Sequence, residues 1–189
     1  MIWTLPTEIK IDDDIVYHIT QKCDYRVVLD VIVVLNDEDF NVKYRIIIAL
    51  IMFYEELTRD NISECAHLEI LQKEMFRIIN GGEEENQSQA KITRLMDWEH
   101  DFSQLAPPIS RVLGFEIRSV EYLHWYSFLG GFQEIGDCMF ATIVSIRLKM
   151  SKNKKLEKWE EEYLRENRKK IYLPQKLTAE EQEFLNSDW

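Results

Sequence analysis

Trp125, Phe128, Leu129 and Phe132 stand at i, i+3, i+4 and i+7, four large apolar side chains on one face of a helix. Gly130 and Gly131 sit inside that pattern, each costing a helix about 1 kcal/mol relative to alanine. Such a segment tolerates both only if another helix approaches closely or the helix kinks. The rest of the chain agrees with a helical fold. Six glycines and four prolines in 189 residues are few for the turns of a sandwich or barrel. The expected architecture is mainly α: a single domain over residues 1–189, about seven helices with an N-terminal β-hairpin.

A chain of this length hides about 70% of the surface its unfolded form exposes, enough for a true core. Hydrophobic residues at 46% and charged residues at 30% argue against wholesale disorder. The net charge of -11 repels a phosphate backbone, so nucleic acid is not an expected partner. The exception is 151–170, where eight basic residues face five acidic ones. A solvated or protein-docking helix is the plainer reading there.

Cys23, Cys65 and Cys138 are widely spaced, with no CxxC or CxxH pair, which predicts reduced thiols in apolar surroundings. No basic stretch followed by an apolar run and a cleavage site opens the chain, so no secretory signal is expected. The longest apolar run, Ile46 to Tyr54, is far short of the ~20 residues that span a bilayer. It reads as a buried helix, and no membrane partner is expected.

Glu8 to Ile19 alternates apolar and polar residues around Asp12-Asp13-Asp14, a hairpin (within residues 1–20) whose turn lacks glycine. Asp24 can cap a helix to about Leu35, although its β-branched residues leave a strand open. A second helix carries the apolar run to about Leu57. A third begins at Asn61 or Ser63 and ends at Gly81-Gly82. Residues 81–93 lack apolar periodicity and read as a mobile loop. Pro107-Pro108 should start a new helix to Leu113, since proline breaks a helix interior. Ser119 should cap the next, through Gly131, and Asp137 one to about Met150, apolar almost all round until Arg147. Residues 151–189 form charged C-terminal helices, with a stripe of Leu156, Trp159 and Tyr163 and a capping box at Thr178.

Asp97, Glu99, His100 and Asp101, with His124, offer metal-ligand types at i, i+3 and i+4 spacing. Acidic residues also favour the start of a helix, where they cap free amides and complement the dipole. With neither an HExxH nor a second ExxH, capping is the stronger reading and no metal or cofactor is expected. His124 could act as a general base, but the sequence places no nucleophile or orienting carboxylate beside it. A packing histidine is the simpler assignment. No phosphate-cradling loop and no GxSxG elbow occurs, so no catalytic residue and no enzymatic activity are expected.

Three motifs carry a likeness: Trp98-Glu99-His100-Asp101, Leu113 to Ile117, and Leu123-His124-Trp125-Tyr126-Ser127-Phe128-Leu129-Gly130-Gly131-Phe132. With Leu5 to Tyr17, Cys23 to Arg26, Ile146-Arg147 and the Lys/Glu-rich tail, they resemble the bacteriophage gene-product-fifteen family of tailed phages and prophages of Gram-positive bacteria. Tyr126 departs from a usual second Trp, and Pro107-Pro108 falls in a stretch usually helical. The resemblance implies a tail morphogenesis factor, a chaperone in the host cytoplasm that binds the tape-measure protein and tail-tube subunits. It leaves self-association open. The alternative it carries is a structural or connector protein of the phage tail. Trp98, Asp101, His124, Trp125, Phe128 and Trp159 are the motif residues expected to pack or bind a partner.

Overall fold

The computed structural model describes residues 4–83 and 94–174. Strands β1 (Glu8–Lys10) and β2 (Val16–His18) pair antiparallel with Ile9 opposite Tyr17. The turn manages without glycine because the Asp12 carboxylate accepts from the amides of Asp14 and Ile15, at 3.0 and 2.8 Å.

Eight α-helices follow among the described residues: α1 (Tyr25–Leu35), α2 (Val42–Phe53), α3 (Leu68–Ile79), α4 (Trp98–Leu113), α5 (Trp125–Gln133), α6 (Met139–Ser151), α7 (Lys158–Glu166) and α8 (Arg168–Ile171). The strand alternative for 25–35 is resolved in favour of helix. Asp24 caps α1 through the amide of Arg26, and Val28 and Val31 are fully buried on one face. Asn41 caps α2 through Tyr44. Gly81 and Gly82 end α3 with left-handed backbone, their amides reaching Ile78 and Arg77.

Several boundaries differ from expectation. Helix α3 starts at Leu68, after a separate 3-10 turn at Ile62–Glu64. Helix α5 starts at Trp125 rather than after Ser119, because His124 is its cap. Pro107 and Pro108 lie inside one continuous α4 and do not start a new helix. Each lacks the N–H that would bond the carbonyl four residues back, at Ser103 and Gln104. Ser103 is exposed and Gln104 half-buried, so solvent can satisfy those carbonyls. Leu105, Ala106 and Ile109 on the opposite face are fully buried and hold the helix in place.

The apolar helices are also less enclosed than expected. Of α2, only Ala49, Leu50 and Phe53 are buried. Met139 of α6 is exposed, while Phe140, Ile143, Ile146 and Arg147 form its buried face. Trp159 leaves the expected Leu156–Tyr163 stripe for solvent.

The chain gathers into two compact units: Met1–Ala90 with Ala106–Ile135, and Lys91–Leu105 with Gly136–Trp189. The first holds the hairpin, α1 to α3, the end of α4, and α5. Phe53, Tyr54, Met75, Ile109, Trp125 and Phe128 are among its fully buried residues. The second centres on Ile143, Ile146 and Ile171, flanked by Met150, Leu156, Tyr163 and Leu164. Most of the 81–93 stretch read as a mobile loop, and the Thr178 capping box, lie outside the described residues.

Candidate functional site

Within the first unit, the motif residues meet where the start of α1 adjoins the start of α5. Asp24 and His124 form an isolated antiparallel bridge. Around it, Tyr25 donates its amide to Leu123 O at 2.9 Å and Trp125 donates to Cys23 O at 2.8 Å. Two helix N-termini are tied together by the segments that cap them. The Asp24 carboxylate serves both sides, accepting from the amides of Arg26 and Leu123 at 3.0 and 2.9 Å. Arg26 pairs with Asp24 at 3.2 Å and donates to the carbonyls of Val120 and Glu121.

His124 is almost fully buried, and its two nitrogens have separate tasks. Nδ1 accepts from the Tyr126 amide at 3.0 Å, which caps α5. That requires Nδ1 bare and the proton on Nε2, which donates to Pro6 O at 2.9 Å. Burial lowers the imidazole pKa against the opposing pull of the Pro6 carbonyl, so the neutral ring is favoured. A ring held in this way is a structural cap.

The Trp125 indole N–H lies 3.1 Å from the carbonyls of both Ile78 and Ile79. Both carbonyls belong to the last turn of α3, and Ile78 O also accepts from the Gly81 amide at 3.0 Å. The indole stacks at 5.6 Å on Phe128, which stacks at 4.6 Å on Tyr25. Gly131 explains its own presence: a Cβ there would come within 3.0 Å of Leu113 Cγ and 3.2 Å of Ile109 Cγ2. Close helix approach, not a kink, is what this glycine permits. The junction also holds strain. Gln21, Lys22 and Cys23 are left-handed in succession, a conformation costly to side chains bearing a Cβ. Burial pushes the Cys23 thiol up to about 12.

Within the second unit, Asp101 and Arg147 form a buried bidentate pair at 2.7 and 2.8 Å. The same guanidinium donates to the carbonyls of Ile171 at 2.7 Å, Lys170 at 2.7 Å and Leu95 at 2.9 Å. One arginine thereby fastens α6 to the start of α4 and to α8. Asp97 precedes α4 and accepts from the His100 amide at 2.7 Å, while Asp101 accepts from the Asp97 amide at 3.0 Å. The capping reading of this acidic cluster is the one the geometry displays. Lys149 and buried Glu160 form a second pair at 2.6 Å. The Glu157 amide and then Lys149 lower the pKa of Glu160.

Arg26 and Arg147 are the polar residues whose roles sequence reasoning missed. The available signal was Arg147 itself: a charge among Ile143, Ile146 and Leu148 must be paired when buried. Of the expected residues, Asp101, His124, Trp125 and Phe128 are buried. Trp98 is half-buried at the start of α4. Trp159 is 53% exposed, its indole N–H on Glu157 at 3.0 Å. The structure brings His124, Trp125 and Phe128 together in one unit, and Asp101 belongs to the other.

An open groove of about 430 Å³ runs between β2 and the 56–65 segment of the first unit. Tyr17 lines it, its hydroxyl 3.4 Å from Cys65 Sγ and 3.3 Å from His67 Nδ1. The contact with Cys65, aided by burial, pushes that hydroxyl up to about 12, so it stays protonated. Among the described residues, no three His, Cys, Asp or Glu side chains stand where they could share a metal ion. No helix there is long and apolar enough to cross a membrane.

The sequence profile of a family described as Bacteriophage Gp15 protein matches residues 4–173. No curated protein and no solved structure matches the chain.

Proposed function

We propose that this chain, which belongs to the Bacteriophage Gp15 protein family, acts in phage tail morphogenesis as a chaperone, through protein-protein contact and without chemistry of its own. The match covers both compact units, so the family assignment extends to the whole described fold. The chain is therefore a bacteriophage protein.

One observation carries the reading. Four polar members of the family-like motifs, Asp24, Asp101, His124 and Arg147, are engaged by the chain's own backbone and side chains. Asp24 and His124 cap helices, while Asp101 and Arg147 neutralise each other out of solvent. Groups so committed are scaffolding. Outside them, Phe40, Val42, Tyr44, Met139 and Trp159 are apolar or aromatic side chains left exposed on an acidic protein. Such a surface suits capture of apolar helices, with the net charge limiting aggregation. The tape-measure protein and tail-tube subunits are the proposed clients, and the host cytoplasm is the proposed place of action.

Co-expression with the tape-measure protein of the same phage tests this. A chaperone raises the soluble fraction of that client and is absent from purified virions by mass spectrometry. Fixed-copy presence in virions would instead establish a structural or connector protein.

A further inference from the structure

Helix α2 carries two apolar faces. Ala49, Leu50 and Phe53 are buried on one. Tyr44, Ile47, Ile48 and Ile51 fall at i, i+3, i+4 and i+7 on the opposite side. Tyr44 is 59% exposed and the three isoleucines are only half-buried. At the same end of the α1–α2 hairpin, Val42 is 61% exposed and Phe40 49% exposed. A helix apolar all round is normally enclosed, so this second face lacks the cover its composition calls for.

The surrounding charge indicates what supplies that cover. Asp37, Glu38 and Asp39 form the connection between α1 and α2, and Asp30 is exposed on α1. Among the described residues, no ion pair neutralises Glu38 or Asp39. On the basic side, Lys43 is exposed, while Arg45 turns inward to Leu35 O at 3.0 Å. Beyond their end turns, the backbone groups of α1 and α2 are satisfied within each helix, so an extended peptide would gain few main-chain bonds along this face. A partner must bring an internally satisfied backbone, an apolar stripe and positive flanks. We infer that the outer face of α2, with the acidic α1–α2 connection, docks an amphipathic helix flanked by lysine or arginine. This rests on the proposed chaperone role and specifies the client-binding face.

The test uses the full chain and a fluorescent synthetic peptide, helical, with leucines at i, i+3, i+4 and i+7 and lysines on both flanks. Saturable binding that weakens as salt rises is expected, with weaker binding of a glutamate-flanked analogue. The double variant Val42→Ser/Tyr44→Ser should lose at least about tenfold in affinity with circular dichroism and thermal midpoint unchanged, because both side chains are exposed. Equal binding by that variant, or by a scrambled peptide, overturns the proposal. So does a dimer that this variant dissolves, since a second copy would then be the occupant. Co-expression separates the two readings. If the variant still solubilises the tape measure fully, this face is wrong and the chaperone role stands. If the peptide binds at this face while wild type leaves the tape measure insoluble, the face stands and the chaperone role fails.

Discussion

His124 shows how one side chain can be essential to packing and still respond to pH. Its Nδ1 must stay bare to cap α5, and burial lowers its pKa. The unfolded chain therefore takes up a proton more readily than the folded one. The associated stability is present in full above the unfolded pKa of about 6.5 and is lost as pH falls from there toward the folded value. His18 titrates with the opposite sign, because its bond to Glu56 raises its pKa. That contribution is present below about pH 6.5 and lost as pH rises through the raised value. In a His18→Gln background, His124→Asn should flatten the acid-side loss of thermal stability. Asparagine keeps a capping oxygen for Tyr126, while losing the Pro6 bond costs about 1 kcal/mol. An unchanged pH profile would assign the acid sensitivity elsewhere. The sequence showed His124 as a packing residue but not as a cap, because a cap depends on where the helix starts.

Among the elements, α5 contains its own control. An added Cβ at Gly131 would meet Leu113 and Ile109 at 3.0 and 3.2 Å, while one at Gly130 meets nothing within 4 Å. Both glycines are helical, so each replacement by alanine gains up to about 1 kcal/mol of backbone preference. Gly130→Ala should keep that gain and raise the thermal midpoint. Gly131→Ala must displace Leu113 and Ile109 in a packed core, a strain of about 1–3 kcal/mol, and should lower it. Equal shifts in the two variants would show that α4 and α5 are not in close approach. The periodicity of Trp125, Phe128 and Leu129 revealed this helix, but the two adjacent glycines look identical in sequence. Likewise, Pro107-Pro108 reads as a break from local chemistry. The buried face of Leu105, Ala106 and Ile109 overrides that preference.

Across the whole molecule, the buried polar groups are divided between the two compact units, and this partition can be measured. Arg147→Met leaves Asp101 buried without its cation and deprives three carbonyls of donors, a loss of about 3–5 kcal/mol. Asp101→Asn leaves the guanidinium its carbonyl partners and should cost less. Hydrogen exchange read by mass spectrometry should show Arg147→Met speeding exchange in α6 and α8 before α1 to α3. Uniform acceleration along the chain would mean the units open as one.

Periodicity, composition and capping residues were enough to specify a mainly helical chain with a short hairpin, because those features act over a few residues. The family likeness was legible for the same reason, being carried by short contiguous motifs. Distances between remote residues were not. The pairing of Asp101 with Arg147, of Asp24 with the amide of Leu123, and of Trp125 with the end of α3 each joins positions at least 46 residues apart. Such partners follow from how helices pack, and local chemistry does not encode that. The open side of α2 was hidden likewise, since an apolar run reads the same whether a helix is covered on every side or on one.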